Sequence, residues 1–353
     1  MSPFLSYSSY GGGASGKLVS GGSGVELYEF TSAYFTVSRS ISEDFTNGPH
    51  RYGPSQSQVR SWLSGSNNGG GSHSWANTYV DCPIQGYQRW TIPKSGKYRI
   101  IAKGGSVGET DQDSWSRGAK VTADFNLVGG EQLILVAGQG VPRRDGDHCN
   151  GGAGASWVMS GGTVSTCVPL IVANGAGGDT SDGSVKQQPN TTLGSSITVT
   201  PTSGEGGGPS VTGKETTPVL GSYATSGRGS QKTDSPNSGG WLSDGSDAGE
   251  SNVGGHGFRT DLVGGQRNNT TSGHGGFGGG SGGEDESGNA GGGFTGAHGQ
   301  DDTGLTGHGS SFVNDDEVGN VSVVLATSTQ QWQTTDFTSE GQMQGWVYIQ
   351  FIQ

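Results

Sequence analysis

Basic residues are scarce in this chain. Its 19 Lys and Arg stand against 31 Asp and Glu, for a formal net charge of −12. Nucleic acid binding needs a positive stripe, and none is present, so no nucleic acid partner is expected. No segment approaches the ~18 consecutive apolar residues of a membrane span, which argues against membrane insertion. Met1-Ser-Pro-Phe-Leu-Ser-Tyr7 has neither a basic start nor an apolar run, so a secretory signal is not expected there. Cysteine is limited to Cys82, Cys149 and Cys167, an odd number that cannot make a complete disulfide framework. Cys149 and Cys167 flank the strand-like Ala155-Ser-Trp-Val-Met159 and could meet across a hairpin. The plainer reading is three thiols in a chain made in a reducing cytoplasm. No Cys-x-x-Cys or paired Cys/His spacing occurs, which argues against zinc. Only 29% of the residues are hydrophobic, so the core must be small for 353 residues.

What the chain has instead is glycine, 71 residues of it, densest from Gly254 to Gly309. Glycine loses the most backbone freedom on ordering and has no side chain to pack, so this tract is neither helix nor ordinary strand. Two readings remain: a solvated linker, or extended threefold helices packed by their bare backbones. Phe258, Phe277, Leu305 and the histidines 256, 274, 298 and 308 punctuate the tract, which favours ordered packing. Gly276 and Gly292 lie in its densest patches and are expected to be structural.

Apolar residues cluster at about 25–173 and 321–353, which suggests one β domain interrupted by a glycine-rich insertion, 174–320. Residues 1–24 read as a flexible Ser/Gly-rich lead or attachment segment. Glu29–Val37 is a first strand, and 54–63 is the one convincing helix, with Pro54 at its start and Val59, Trp62 and Leu63 on one face. Gln88–Ile92, the turn Pro93-Lys-Ser-Gly96 and Lys97–Ala102 read as a hairpin. Residues 121–127 alternate apolar and polar, while 132–137, 157–159 and 169–173 read as more fully buried strands. Val321–Leu325 and Gly345–Ile352 return as closing strands. Short strands with frequent Gly/Pro turns specify an all-β, antiparallel sandwich. Its expected core holds Trp90, Tyr98, Ile100, Phe125, Leu135, Trp157, Trp346 and Phe351.

No catalytic constellation stands out. Gly208-Pro-Ser-Val-Thr-Gly213-Lys214 resembles a phosphate-binding loop, but Glu215 replaces the metal-binding hydroxyl and no amphipathic helix follows. Gly279-Gly-Ser281-Gly-Gly283 fits a nucleophile-elbow pattern only as glycine tracts do by chance. The pairs Asp111/Asp113, Asp145/Asp147 and Asp315/Asp316 would suit Ca²⁺, yet none sits in a complete loop, so no cofactor is expected. The four His-Gly pairs could form a metal ladder, but imidazoles bonded to neighbouring backbone are the simpler expectation. Trp115 and Trp241 differ from the strand tryptophans. They stand in polar surroundings, Trp241 with Asp244 and Asp247 close by, where an exposed ring beside acids suits a sugar. These four are the receptor-binding candidates.

The ordered series Gln88-Arg-Trp-Thr-Ile-Pro-x-x-Gly-x-Tyr-Arg-Ile, Leu-Val-Ala-Gly-Gln-Gly140, Gly-Ala-Gly-Ala-Ser-Trp-Val158, Pro-Leu-Ile-Val-Ala173, a glycine tract and a closing strand is similar to the glycine-rich domain of the anaplastic lymphoma kinase receptor family. With the upstream Gly53-Pro-Ser-x-Ser-Gln58 and Ser-Trp62, it also resembles glycine-rich domains of marine bacteriophage tail fibres. The resemblance covers 25–353 and implies a jelly-roll-like sandwich from which polyglycine-type helices project. For the phage members it implies a virion part that touches the host. T-even phage adhesins carry comparable glycine motifs whose connecting loops meet receptor. The stretch 185–250 departs from both relatives, because Thr and Ser there outweigh Gly. The expectation is thus a non-enzymatic virion protein, made in the host cytoplasm. Its N-terminal region would join other tail proteins, and its loops would meet a host surface glycan or outer-membrane protein. Whether it forms a homo-oligomer stays open. A structural decoration, head fibre or matrix protein is the alternative. A secreted eukaryotic version would carry sugar at Asn190, Asn268, Asn269 or Asn320.

Overall fold

The computed structural model describes residues 34–36, 51–64, 75–108, 116–142, 150–178, 188–219, 224–233, 235–247, 254–267, 273–283, 289–299, 306–326 and 344–352. The lead 1–24 therefore lies outside the described residues. The elements are β1 (Tyr34–Thr36), α1 (Gln56–Ser64), α2 (Ala76–Tyr79), β2 (Val80–Ile84), β3 (Tyr87–Thr91), β4 (Gly96–Lys103), β5 (Val107–Gly108), β6 (Ala119–Leu127), β7 (Gln132–Val136), β8 (Val141–Pro142), β9 (Ser156–Ser160), β10 (Val168–Ala173), β11 (Leu193–Val199), β12 (Val211–Thr216), β13 (Phe312–Asn314), β14 (Glu317–Leu325) and β15 (Trp346–Phe351). Two antiparallel sheets form a sandwich with almost no helix. One has eight strands in the order β11-β12-β13-β10-β9-β7-β3-β2; the other has β15-β4-β6-β14, with the short β1 added beyond β15.

The main helix begins two residues later than its proline suggested. Ser55 is the cap: its amide donates to Gln58 Oε1 at 2.8 Å, while its hydroxyl accepts from the Gln58 amide at 3.4 Å. This reciprocal box satisfies two amides that the first turn would leave free. Val59 and Leu63 then bury against the sandwich.

One correction concerns the expected hairpin over 88–102. β3 pairs with β7 in the larger sheet, whereas β4 pairs with β6 in the smaller one. Pro93–Gly96 is thus a corner between sheets. Proline has no amide to donate to a ladder, and Gly96 takes φ +156, so pairing stops and the chain crosses. A second corner at Gly129-Gly130 lies alongside it. Gly130 donates to Ile92 O at 2.8 Å, and Ile92 donates to Glu131 O at 2.9 Å.

The core between the sheets takes Trp90, Tyr98, Ile100, Phe125 and Leu135, as expected. Trp346 does not join it. It is half-buried opposite Lys103, on the outward side of β15, while Val347 and Ile349 point inward. Phe351 sits at the rim of the core, edge-on to Tyr98 with centroids 5.1 Å apart. Trp157 is fully buried, but on the opposite face of the eight-stranded sheet. That sheet is covered on both sides, which explains the continuous apolar runs of β7, β9 and β10.

The second cover is the glycine-rich region. Phe258, Phe277, Phe294 and Trp241 from that region meet Tyr87, Trp157 and Phe312 from the sheet. Behind these rings the backbones pack directly on one another. The successive amides of Gly152, Ala153, Gly154 and Ala155 donate to Ser281 O, Ala176 O, Gln139 O and Gly278 O, each at 2.8–2.9 Å. Three neighbouring segments are thus met in turn, and the fourth residue returns to the segment that the first one bonds, three residues along it. A Cβ at Gly276 would lie 2.2 Å from Gln139 O, and one at Gly292 2.2 Å from Gly278 O. Only glycine fits at that approach. The diluted stretch 185–250 behaves differently, since β11 and β12 within it pair as strands at the edge of the larger sheet.

Gly292→Val should collapse this packing, because the added carbons have only a carbonyl oxygen to displace. Hydrogen exchange should find the amides of Gly275, Gly276, Gly278, Gly291 and Gly292 protected in the parent and released in the variant. Random-coil exchange of these amides in the parent chain would contradict the packed arrangement.

Candidate functional site

The receptor-binding candidates separate once placed in the structure. Trp115 lies outside the described residues. Trp241 is not an exposed platform: it is fully buried, with its indole stacked on Phe294 at 5.8 Å and 19°. The guanidinium of Arg259 lies 5.4 Å from the centre of the ring. The flanking glycines are what let the ring sink, since Gly239 and Gly240 both pass against neighbouring backbone. Asp244 and Asp247 are surface groups with a structural bond each. Asp244 Oδ1 accepts from the Gly257 amide and Asp247 Oδ1 from the Gly254 amide, both at 2.7 Å. Together they staple 237–247 to 254–258.

Around Asp244 the fold assembles a charged rim that sequence reasoning missed. His256 Nδ1 lies 2.6 Å from Asp261 Oδ1. This bond raises the imidazole pKa against the effect of burial, with help from the charges of Asp261 and Asp244. Burial would raise Asp261, but the bond from His256 and the Val263 amide outweigh it and leave the carboxyl below its usual range. Arg51 arrives from 213 residues away, with Nε donating to Gly264 O at 2.7 Å, and its guanidinium carbon stands 5.6 Å from the Tyr52 ring centre. Tyr52 is 45% exposed. Residues so distant in sequence leave no local signal of the cluster. Only the exposed aromatic beside Gly53-Pro54 could have been found.

Arg259 and Arg228 bind the β11–β12 connection to the glycine bundle. Arg259 Nη1 donates to Ser165 O at 2.5 Å and Gly207 O at 2.7 Å, and Arg228 pairs with Glu205. Burial pushes Glu205 up, yet the Thr202 amide and Arg228 prevail and hold it below the usual range.

The remaining motifs resolve into structure. Residues 208–210 lead into β12, which contains 211–214, and Lys214 pairs with Glu317 at 3.0 Å. Ser281 Oγ accepts from the Ala290 amide at 2.8 Å. Cys167 is a free, buried thiol pushed to about 12 by burial. Cys149, its expected partner, lies outside the described residues. Imidazoles serve backbone as expected at two sites: the Gly177 amide donates to His308 Nδ1 at 3.2 Å, and the Arg267 amide to His274 Nδ1 at 3.1 Å. Among the described residues no three His, Cys, Asp or Glu side chains gather to hold a metal, and no helix is long and apolar enough to cross a membrane. Asp111, Asp113, Asp145 and Asp147 lie outside the described residues.

Glu215 is the unusual acid. Its carboxyl accepts from the hydroxyls of Ser310, Thr295 and Ser226, but burial is the larger effect and raises its pKa. No protein-family model matches the chain, and no curated protein matches it.

Two outcomes follow from this geometry. Trp241→Ala should cost about 3–5 kcal/mol, as for other fully buried aromatics, rather than leave the fold untouched; an unchanged melting temperature would contradict its burial. Stability should also fall as pH rises from 5 to 8. Glu215, raised in the fold, stabilises while protonated and loses that contribution as pH climbs from its unfolded pKa through its folded one. His256 behaves likewise, its contribution complete below the unfolded histidine pKa and lost through the raised folded one. Glu215→Gln should flatten the decline in a series of thermal melts, and an equally steep decline in that variant would refute the buried-acid assignment.

Proposed function

We propose that the chain is a non-enzymatic virion protein, a tail-fibre or adhesin component that presents loops and a charged rim to a host surface. The reading carries the finer architecture with it: a jelly-roll-like sandwich whose third layer is a bundle of polyglycine II-type helices. Amides that turn to a new neighbour at each residue support the threefold geometry, as at Gly152–Ala155.

The observation that carries the functional reading is the division between a backbone-locked scaffold and the polar sequence between its glycine segments. Bundle glycines cannot accept a side chain, whereas the connectors between them are acidic and polar, as in Glu284-Asp-Glu-Ser287 and Asn268-Asn-Thr-Thr271. A rigid scaffold with changeable loops is how binding surfaces diversify without unfolding. Tyr52, exposed beside Arg51, takes the place that Trp241 vacates as the aromatic for a sugar ring, with Asp244, His256 and Asp261 supplying hydrogen bonds. The partner is a host glycan or outer-membrane protein, with other virion proteins engaged through the N-terminal region. An assembly-only decoration or head-fibre role is the competing reading.

Tyr52→Ala should lower adsorption of virions to host cells several-fold while its melting temperature stays within about 1 °C, as for an exposed side chain, and Trp115→Ala added to it should lower adsorption further. Adsorption equal to the parent, together with purified chain that neither binds cells nor competes with virions, would leave the assembly role.

A further inference from the structure

The outward face of the smaller sheet gathers four cations on two neighbouring strands. Inward residues of β4 and β6, such as Tyr98, Ile100, Val121 and Ala123, belong to the core. By alternation, Lys97, Arg99 and Lys103 of β4 and Lys120 of β6 face outward. Four of the 19 cations of a chain with net charge −12 thus share two neighbouring strands. The single carboxylate among them, Asp124, is fully buried and already engaged. Arg99 Nε and Nη2 reach it at 2.9 and 3.2 Å, Asn320 Nδ2 at 2.5 Å and Lys97 Nζ at 3.5 Å.

The cross-strand rows show what surrounds these charges. Trp346, Lys103, Lys120 and Val324 lie in register across four strands, and Tyr348, Ile101, Thr122 and Ser322 form the next row. Lys103 and Tyr348 are buried, and Lys103 Nζ donates to Gln344 O at 3.0 Å. Lys120 is different. It is half-buried with no acceptor among the described residues, and burial lowers its pKa. Trp346 is half-buried at the end of the same row.

The geometry points to this face as a binding surface for an acidic polysaccharide. Lys97, Arg99 and Lys120 would meet its carboxylates, and Trp346 with Thr122 and Ser322 its sugar rings and hydroxyls. An acidic protein fits less well, because the cores of protein interfaces are depleted of charge, whereas this face carries the part-exposed cations Lys97, Arg99 and Lys120. A nucleic acid duplex, with one charge per ~1.7 Å, would be repelled by the net charge of the chain, whereas sparse uronates meet mainly the local cations. The surface is separate from the rim of Tyr52 and Asp244 and does not depend on the virion assignment.

The test uses the full chain against immobilised alginate, a polyuronate, with neutral dextran and poly-glutamate as the other arms. Binding to alginate should appear at about 50 mM NaCl and fade by about 300 mM, as screening shortens the reach of the cations. Dextran should not bind. Lys97→Gln with Lys120→Gln should weaken alginate binding about tenfold, and Lys120→Gln alone, which leaves the partners of Asp124 in place, should weaken it several-fold with the melting temperature unchanged as a control on folding. No alginate binding at low salt, or equal binding by the double variant, overturns the proposal. Retention by poly-glutamate in preference to alginate overturns the glycan and assigns an acidic polypeptide. None of these outcomes alters the case for host attachment through the rim.

Discussion

Backbone amides without side chains can bury nothing but one another, and the third layer of this protein is organised by that constraint. A buried amide left without an acceptor is costly, so every residue of a close-packed glycine segment must find a carbonyl on some neighbour. Here Gly275, Gly276 and Gly278 donate to Gly265 O, Gly152 O and Leu262 O in turn. The segments must approach so closely that a methyl group has no room, as at Gly154, where a Cβ would fall 1.7 Å from Phe277 O. Composition follows from geometry. The 71 glycines are the condition for a layer made of backbone.

Such a layer has little hydrophobic driving force of its own, because glycine buries almost no apolar area. The aromatic rings supply it. Phe294 stacks on Phe312 with centroids 4.1 Å apart, and Phe258 meets Tyr87 at 5.1 Å and Trp157 at 5.3 Å. Each ring projects from a bundle segment onto the sheet, so the bundle is anchored at a few large contacts and held elsewhere by hydrogen bonds. Glycines on the sheet side also make way for the rings. A Cβ at Gly86 would touch the Phe277 ring at 2.1 Å. Trp241 belongs to this set of wedges.

The sandwich was legible in the sequence because its strands announce themselves by alternation or by continuous apolar runs, from β4 and β6 to β9 and β10. Three kinds of feature were not. Pro93–Gly96 has the chemistry of a hairpin turn and of a corner alike, and only the pairing partners distinguish them. β11 and β12 are rich in Ser, Thr and Gly, so their edge pairing leaves no periodic mark. Trp241 was misplaced because polar neighbours normally mean solvent. In a layer where glycine replaces apolar side chains, a tryptophan can be fully buried while its sequence neighbours are Gly, Ser and Asp. The rim was illegible for a simpler reason, since Arg51 and Gly264 meet only after 213 intervening residues have folded.

The same logic decides where this architecture can change. Bundle glycines are fixed by contact, core strands by alternation, and the wedges by the cavities they fill. Lys103 and Asp124 are buried and Glu215 largely so, but most of the charge falls on what remains. Even there, much of it is already employed: Asp244 and Asp247 hold amides of the bundle, and Arg228 and Arg259 tie the β11–β12 connection down. Surface groups with such duties cannot vary freely, so the changes the fold tolerates best fall on exposed side chains with lighter structural duties, Tyr52 among them. A protein built this way can change its exposed residues with little effect on its packed ones. Its interior is specified by the absence of side chains, and its outer surface by the small number that are left to act.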